Sequence, residues 1–216
     1  MKHIIKKHKK VWVNKNFIVS SVTGGLLLIA SLFINYFAGI YATKQASNSV
    51  TDVFLTNIPT LNMDFLIVEG AFIFAFFILI LMIYEPKGVP FILKSIAIFI
   101  VIRAVFVSMT HIGPSPDRAI LNDNVIVSKF AVGGELFFSG HTGMPFLLAL
   151  AFWHNKSLRI TFLIATVIAA ISVLFGHVHY TIDVFSAPFI SYGIFHICKN
   201  VFAKDYKLFI SGRLTK

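Results

Sequence analysis

The alternation of long apolar runs with short polar segments predicts six membrane-spanning helices and an all-α fold. A helix needs about 20 predominantly apolar residues to cross the hydrocarbon core of a bilayer. Five runs approach or exceed that length, and the fourth run is short unless residues 136–140 extend it. In chain order the predicted spans are 17–43, 64–84, 91–112, 141–153, 158–175 and 180–197.

Polar segments between the runs are the predicted loops. Residues 44–63 are rich in serine, threonine and asparagine, and residues 85–88, with the sequence EPKG, end the second span. Residues 154–156 form the turn between the fourth and fifth spans. The longest polar segment is 113–134, and a loop of this length is usually functional or disordered.

The chain divides into a membrane domain with a basic segment at each end. Residues 1–16 form a basic head without apolar periodicity, residues 17–198 form the six-helix membrane catalytic domain, and residues 199–216 form a basic tail. The first apolar run is longer than the roughly 7–15 residues of a signal peptide's apolar core. We therefore expect it to be a retained span.

Composition supports lipid as the solvent of this domain. Of the 216 residues, 57% are hydrophobic and 13% are charged, and the mean hydropathy is +0.83. A soluble domain is roughly half apolar and about a quarter charged. The single cysteine, Cys198, excludes both an intrachain disulfide and a cysteine-rich zinc site.

The net charge of +10 could suggest a nucleic-acid partner, but its distribution favours a membrane topology instead. The head, residues 85–94, residues 154–159 and the tail hold 15 of the 19 lysines and arginines. Cytoplasmic segments of membrane proteins carry such an excess. We therefore expect both termini to be cytoplasmic, no nucleic-acid partner, and attraction of the basic ends to anionic lipid.

With this topology, several polar side chains fall at the outer ends of their helices. His141 begins the fourth span, and His179 and Asp183 begin the sixth. Ionisable residues at membrane depth are costly, so such a group is a functional-site hypothesis by default. The other polar residues predicted at this depth are Asp64, Glu69, Arg103 and Glu135.

The spacing of these residues is typical of phosphoryl-group chemistry. His179 and Asp183 are four residues apart, which places them on one face of a helix. A carboxylate on one ring nitrogen fixes the tautomer and leaves the other nitrogen as a nucleophile or base. His141 is a candidate general acid or base because the unperturbed pKa of histidine lies near neutral pH.

An anion site is predicted beside these histidines. Ser139 and Gly140 precede His141 at a predicted helix N-terminus, where free backbone N–H groups suit a phosphate. Arg103 can add a planar fork of hydrogen-bond donors. The other interpretation of Arg103 is a structural ion pair.

Two motifs carry a resemblance to a known family. The segment 135–142, ELFFSGHT, and the segment 176–184, GHVHYTIDV, together resemble the paired motifs of the sphingomyelin synthase family, within the type-2 phosphatidate phosphatase superfamily. The segment 102–116, IRAVFVSMTHIGPSP, is similar in layout to the arginine-bearing third helix of the synthases. The resemblance runs from about 98 to 197, and more weakly from 52.

The resemblance implies a fold, a reaction and residue roles. The fold is the six-helix bundle of that superfamily, and the histidine of HYTIDV, here His179, forms a phosphohistidine intermediate. Asp183 orients it, and His141 assists the leaving group and then activates the acceptor. The synthases move phosphocholine or phosphoethanolamine from a glycerophospholipid to ceramide on the extracytoplasmic face, without a metal or other cofactor. We thus expect a lipid phosphotransferase that uses a phospholipid donor and a ceramide or diacylglycerol acceptor.

Seven further residues are predicted to contact the substrate. They are Arg103, Glu135, Ser139, Gly140, Thr142, His177 and Tyr180.

The chain departs from the phosphatases of the same superfamily at two motifs. Their KxxxxxxRP motif is absent, because Lys94 and Arg103 have a different spacing and no proline follows. Their SRxxxxxHxxxD motif keeps Ser172 but has Val173 in place of arginine. Glu135 stands where the synthases commonly carry aspartate, which leaves the choice of head group open.

Two other functions remain open from sequence. One is a hydrolase with the same intermediate, resolved by water instead of a lipid hydroxyl. The other is a non-catalytic membrane protein that binds or transports lipid. His177 and His179 could also form a metal pair, although no third ligand is evident. The positions of Glu69, His111 and His177 relative to the site are likewise left open.

Overall fold

The computed structural model describes residues 2–118 and 136–211, and within these two ranges it contains helices and turns without a β-strand. A π-helical turn, Phe65–Glu69, leads into the third helix. The all-α prediction is confirmed over the described residues. The helices are α1 (Lys2–Trp12), α2 (Lys15–Gln45), α3 (Gly70–Tyr84), α4 (Val89–Met109), α5 (Gly140–Ala151), α6 (Lys156–Phe175), α7 (Thr181–Val201) and α8 (Ala203–Ser211).

Five helical segments of the described chain are long and apolar enough to cross a membrane. They coincide with five of the six predicted spans and give the chain the architecture of a multi-pass membrane protein. The segments are Lys15–Gln45, Phe65–Tyr84, Pro86–Met109, Lys156–Phe175 and Thr181–Val201.

The fourth predicted span, 141–153, coincides with α5, which has only 12 residues. At 1.5 Å per residue such a helix is about 18 Å long, well short of a hydrocarbon core of about 30 Å. Residues 136–139 do not extend it, because Ser139 caps the helix by accepting a hydrogen bond from the Thr142 N–H. The described chain therefore has five helices of spanning length instead of the expected six, and the fourth predicted span is a short helix.

The short helix α5 lies inside the bundle. Leu147, Leu148 and Ala149 are fully buried, and α5 packs against α4, α6 and α7. In contrast, α2 and α3 present large apolar side chains to their surroundings, for example Phe33 at 62% and Phe72 at 61% exposure. Helices that are apolar on their outward side are expected where lipid is the solvent. The bundle thus encloses α5, which carries one of the two polar motifs.

The four basic segments that were assigned to one side of the membrane meet at one end of the bundle. Residues of the head form a helix, α1, which the sequence pattern did not predict. Val11 of α1 is buried against Phe17 and Leu208. Lys7 forms an ion pair with Glu85 in the turn before α4. The ring of His154, in the turn before α6, lies 5.0 Å from the ring of Phe209 in α8.

Lys94 of α4 belongs to this same end. Its Nζ donates to Asp205 Oδ2 at 2.7 Å and to Ser20 Oγ at 2.6 Å, and Ser20 Oγ donates to Asp205 Oδ1 at 2.7 Å. Both charged side chains are largely buried, so they form a compensated ion pair that ties α8 to α2 and α4. Lys94 is therefore a structural residue of the membrane domain.

At the other end of α2, the connecting loops close over the bundle through backbone hydrogen bonds. The Ser47 N–H donates to His111 O, and the Gly113 N–H donates to Asn48 O. The Leu61 N–H donates to Phe175 O, which is the last residue of α6. These bonds hold the loop that follows α2 against the ends of α4 and α6, where the candidate site lies.

Candidate active site

The two polar motifs are joined directly by hydrogen bonds. The Ser139 N–H donates to Asp183 O at 3.1 Å, and Ser191 Oγ donates to Gly143 O at 3.0 Å. The first bond ties the start of α5 to the first turn of α7, and the second ties the same two helices about one turn further along α5 and two turns further along α7. Residues that are about 40 positions apart in sequence therefore share one rigid frame.

The ring of His141 faces the ring of His179 across this frame. The two ring centroids are 6.1 Å apart, and the rings are inclined by 63°. His179 is 4% exposed, and His141 is half-buried. Two imidazoles at this separation can flank a single phosphorus atom, with one ring for each face of an in-line displacement.

Asp183 contacts the Nδ1 side of the His179 ring. Asp183 Oδ2 lies 3.4 Å from His179 Nδ1 and accepts the Tyr180 N–H at 3.0 Å. The Nδ1–Oδ2 distance is longer than an ordinary N–H···O bond, as is common for catalytic pairs without substrate. Asp183 is fully buried. It is therefore placed both to cap α7 and to orient the imidazole.

The reason for this pairing differs from the sequence-based interpretation. His179 lies before α7, which begins at Thr181, so the two residues do not share a helix face. They meet because Asp183 is the third residue of the helix and turns back towards the chain that enters it, as carboxylates in first turns commonly do. The prediction of a contact is confirmed, but the helical reasoning behind it is wrong.

His141 is held by the entry to α3. Its ring lies against the backbone carbonyl of Ile67, in the π-helical turn Phe65–Glu69. A π-helical turn changes the register of the backbone carbonyls, and such turns occur frequently at functional sites. The predicted acidic residues of this segment lie differently: Asp64 is half-buried, whereas Glu69 is exposed and does not join the buried group.

Arg103 reaches the N-terminal end of α5 from α4. Its Nε donates to Phe138 O at 3.1 Å and its Nη1 to Asn35 Oδ1 at 3.4 Å. A Cβ on Gly140 would lie 3.1 Å from Arg103 Nε, so a larger residue here would push the guanidinium away by a few tenths of an ångström. The predicted pairing of Arg103 with Ser139 and Gly140 at one anion site is therefore geometrically consistent.

Two buried polar atoms at the site are unpaired in the described part of the chain. Within residues 2–118 and 136–211, Asp183 Oδ1 and the hydroxyl of Thr142 have no hydrogen-bond partner. Buried polar groups are otherwise almost always paired, and exceptions gather at functional sites. Glu135, the remaining predicted substrate contact of this motif, lies outside the described residues.

Tyr180 and His177 occupy the loop before α7. The Tyr180 hydroxyl donates to Gly113 O at 2.8 Å and accepts the Val50 N–H at 3.3 Å, so it fastens two loops together. His177 is 3% exposed and its Nδ1 lies 3.2 Å from Thr60 Oγ1. His111 contacts Ser108 O and the ring of Tyr41 at the end of α4.

Sequence reasoning missed Asp52, which holds the start of α7 from the loop after α2. Its Oδ2 accepts the Thr181 N–H and its Oδ1 accepts the Thr181 hydroxyl, both at 2.6 Å. It also accepts the amides of Phe54 and Leu55. Burial raises the pKa of Asp52, but the hydrogen bonds from Thr181, Leu55 and Phe54 outweigh it and hold the pKa below its ordinary value.

Asn35 was also missed, although a signal was present. It is the one asparagine in the predicted span 17–43, and a polar side chain inside an apolar run indicates a buried partner. That partner is Arg103. Asp52 gave no comparable signal, because acidic residues are common in polar loops.

Replacing Asp52 by alanine is expected to loosen the start of α7. Four hydrogen bonds are lost, and we expect the free energy of unfolding, measured by thermal unfolding in detergent, to fall by about 1–2 kcal/mol, comparable with removal of a helix cap. The pKa of Asp52 is lowered in the folded protein, so the carboxylate contributes its full stabilisation above pH 3.8, the ordinary pKa. This stabilisation disappears as the pH falls through the lowered pKa. The stability difference measured at neutral pH should thus shrink in strong acid. An equal difference at every pH would show that the charge of Asp52 is not used.

Comparison with protein families gives a match over this site. Residues 133–200 match the family model described as PAP2 superfamily C-terminal, which is just under a third of the chain and includes His141, His179 and Asp183. No curated protein and no solved structure matches the chain. Members of this superfamily are generally phosphatases or phosphotransferases. The match and the apolar helices together fit a membrane enzyme that acts on a lipid phosphate ester.

Proposed function

We propose that the protein is a lipid phosphotransferase that moves a phosphorylated head group from a glycerophospholipid to a lipid hydroxyl, through a phosphohistidine at His179. The observation that carries this proposal is the facing pair of His141 and His179, with ring centroids 6.1 Å apart and a buried carboxylate behind one of them. The synthase-like motifs support the transferase branch of this chemistry.

In the first step, the lone pair of His179 Nε2 attacks the phosphorus of the donor phospholipid. A P–N bond forms, and the bond between phosphorus and the oxygen of the diacylglycerol breaks. His141, protonated at this stage, gives its proton to that oxygen, and diacylglycerol leaves. Asp183 accepts the hydrogen bond from His179 Nδ1 and stabilises the positive charge that develops on the phosphorylated ring.

In the second step, the neutral His141 removes the proton from the acceptor hydroxyl, and the acceptor oxygen attacks phosphorus. The P–O bond to the acceptor forms, the P–N bond breaks, and His179 regains its lone pair. His141 ends protonated, as it began. No co-reactant besides the two lipids is needed, and the charges of both steps balance.

Binding of the phosphate is assigned to the N-terminus of α5 and to Arg103. The Ser139 N–H donates to Asp183 O, and the Thr142 N–H donates to Ser139 Oγ. Among the described residues this leaves the amides of Gly140 and His141 free to donate at the positive end of the helix dipole. Arg103 lies beside Gly140 and adds a full positive charge.

The membrane orientation is part of the proposal. The basic segments that meet at the α1–α8 end are assigned to the cytoplasm, where their lysines face anionic lipid. The histidine pair, near the other end of the bundle, is then extracytoplasmic. Lipids of the outer leaflet are the expected donor and acceptor.

An assay with purified protein and labelled phospholipid tests the reaction. Labelled product that forms only when ceramide or diacylglycerol is supplied supports transfer. Release of free phosphorylated base or inorganic phosphate without acceptor would show hydrolysis instead. A protein that thermal unfolding shows to be folded, but that turns over no phospholipid, would support the non-catalytic alternative.

A further inference from the structure

A short turn in the loop after α2, residues 52–57, presents two large apolar side chains outward. Val53 is 81% exposed and Phe54 is 51% exposed, although the surrounding loop is rich in serine, threonine and asparagine. We call residues 52–57 the apolar turn. Exposed apolar side chains indicate an interaction surface when they join a larger contiguous apolar patch. The surroundings of Val53 and Phe54 therefore decide their meaning.

Hydrogen bonds hold the apolar turn in a defined conformation. Asp52 Oδ1 accepts the N–H groups of Phe54 and Leu55 at 2.9 and 3.1 Å. The side-chain amide of Asn57 donates to Val53 O at 2.7 Å. The next apolar residue, Leu55, is buried against the bundle. The outward placement of Val53 and Phe54 is thus a property of the folded turn.

The exposed side of the apolar turn continues the outward face of α7. The ring of Phe54 lies against the ring of Phe185, with centroids 6.3 Å apart. Phe185 belongs to a stripe of exposed apolar residues at helical spacing on α7, namely Ile182, Phe185 and Phe189. Because α7 is long and apolar enough to cross a membrane, this stripe is expected to meet lipid. Val53 and Phe54 extend that lipid-facing surface onto the loop.

The contact with Phe185 also gives the depth of the apolar turn. Thr181 is the first residue of the spanning segment, and Phe185 follows it by four residues, or about 6 Å along the helix axis. Interfacial segments bury their apolar side about 5–10 Å into the boundary between head groups and acyl chains. The apolar turn therefore lies at the height of this boundary.

Charge does not explain an attraction of this loop to lipid. The chain has no lysine or arginine between Lys44 and Lys87, and Asp52 is the one charged residue of 45–63. Both carboxylate oxygens of Asp52 are bonded to Thr181. Contact of Val53 and Phe54 with the apolar part of the lipid is thus the interaction that the sequence and the geometry favour.

We propose that Val53 and Phe54 insert into the bilayer leaflet on the side of the histidine pair, so that the apolar turn is an interfacial anchor. The inference does not use the proposed reaction, because it needs only the membrane architecture. The same turn holds the start of α7, since Asp52 accepts both donors of Thr181. Insertion therefore fixes the level of His179, two residues before Thr181, relative to the lipid surface.

Fluorescence of labelled variants in lipid nanodiscs tests the insertion. Val53→Cys and, in a separate protein, Ser49→Cys are labelled with an environment-sensitive dye in the full chain. The native Cys198 is fully buried, and the unsubstituted protein serves as the labelling blank. Ser49 is the matched control, because it is exposed in the same loop but lines the cavity between this loop and residues 115–117.

The two labels should respond oppositely to quenchers in lipid and in water. A phospholipid with a nitroxide near the top of its acyl chain should quench the Val53 label more strongly than one with a nitroxide near the chain end. Aqueous iodide should quench the Val53 label several-fold less than the Ser49 label. The lipid quenching should be the same in zwitterionic nanodiscs and in nanodiscs with anionic lipid, because no basic residue takes part.

Three results would overturn the inference. Equal iodide quenching of the two labels would place the apolar turn in water. Protection of the Val53 label from iodide without quenching by lipid would show that protein, such as a second copy of the chain, covers it. Quenching by lipid only in the presence of anionic lipid would contradict a hydrophobic contact. Phe54→Cys repeats the measurement at the neighbouring residue, and thermal unfolding checks that each labelled protein is folded, so a substitution that prevents folding at one position leaves the other to decide.

Discussion

Replacing His179 with alanine should abolish head-group transfer and the accumulation of a phosphorylated protein. The imidazole of His179 is buried beside Asp183, and in the proposed mechanism it is the group that bonds to phosphorus. Removal of a nucleophile that acts as a unit with its partners typically lowers turnover by about four orders of magnitude or more. Turnover of labelled phospholipid and acid-quench trapping of the labelled protein measure the two effects.

His141→Ala is the matched control for this result. With a natural lipid, both variants should be inactive, because diacylglycerol is a poor leaving group and needs the proton of His141. With a p-nitrophenyl ester of the phosphorylated head group, the leaving group needs no proton. The His141→Ala protein should then recover release of p-nitrophenol and accumulate the phosphoprotein, whereas His179→Ala should do neither. If the His179→Ala protein instead recovered release of p-nitrophenol, the assignment of His179 as the nucleophile would be wrong, and the two histidines would have exchanged roles or would have neither role.

The sequence predicts the membrane character of the chain and the members of the candidate site for a simple reason. Apolar runs of about 20 residues are a direct consequence of bilayer thickness, and polar residues inside or beside them stand out against a lipid background. His141, His179 and Asp183 could be selected in this way. The grouping of basic segments also predicted which turns and termini lie together, since the contacts of α1, α8 and the turns at 85–88 and 154 gather at one end.

The local sequence pattern did not predict contacts between residues far apart in the chain, and it did not predict the extent of short elements. The bond from Asp52 to Thr181 joins residues 129 positions apart, and no spacing rule connects them. The short helix α5 has the hydropathy of a span, but Ser139 caps it after the chain has already entered the bundle. The head forms α1 because Val11 is buried against Phe17 and Leu208, a tertiary contact that the periodicity of residues 1–16 does not show.

The geometry also changes the meaning of a correct prediction. The contact between His179 and Asp183 was expected from a four-residue spacing on one helix. In the structure, a single oxygen, Asp183 Oδ2, faces both the His179 ring and the Tyr180 N–H, and the other oxygen is buried without a partner in the described chain. The carboxylate therefore has three separable properties: it caps α7, it orients the ring, and it carries charge.

Asparagine and alanine at position 183 should separate these properties. In Asp183→Asn, the amide oxygen can take the place of Oδ2, so that the helix cap and the tautomer of His179 are retained while the charge is lost. We expect head-group transfer to fall by about 10²- to 10³-fold, because the positive phosphorylated ring loses its counter-charge in a buried site. The melting temperature in detergent should change little.

Asp183→Ala removes the cap and the orienting bond together with the charge. Transfer should therefore fall further than in the asparagine variant, and the unfolding free energy should drop by about 1–2 kcal/mol because the Tyr180 N–H is left without its acceptor. If the two variants were equally slow and only the alanine variant were less stable, orientation would contribute nothing beyond charge. If the asparagine variant kept full activity, Asp183 would be a capping residue, and the charge on the phosphorylated His179 would have to be stabilised by other groups.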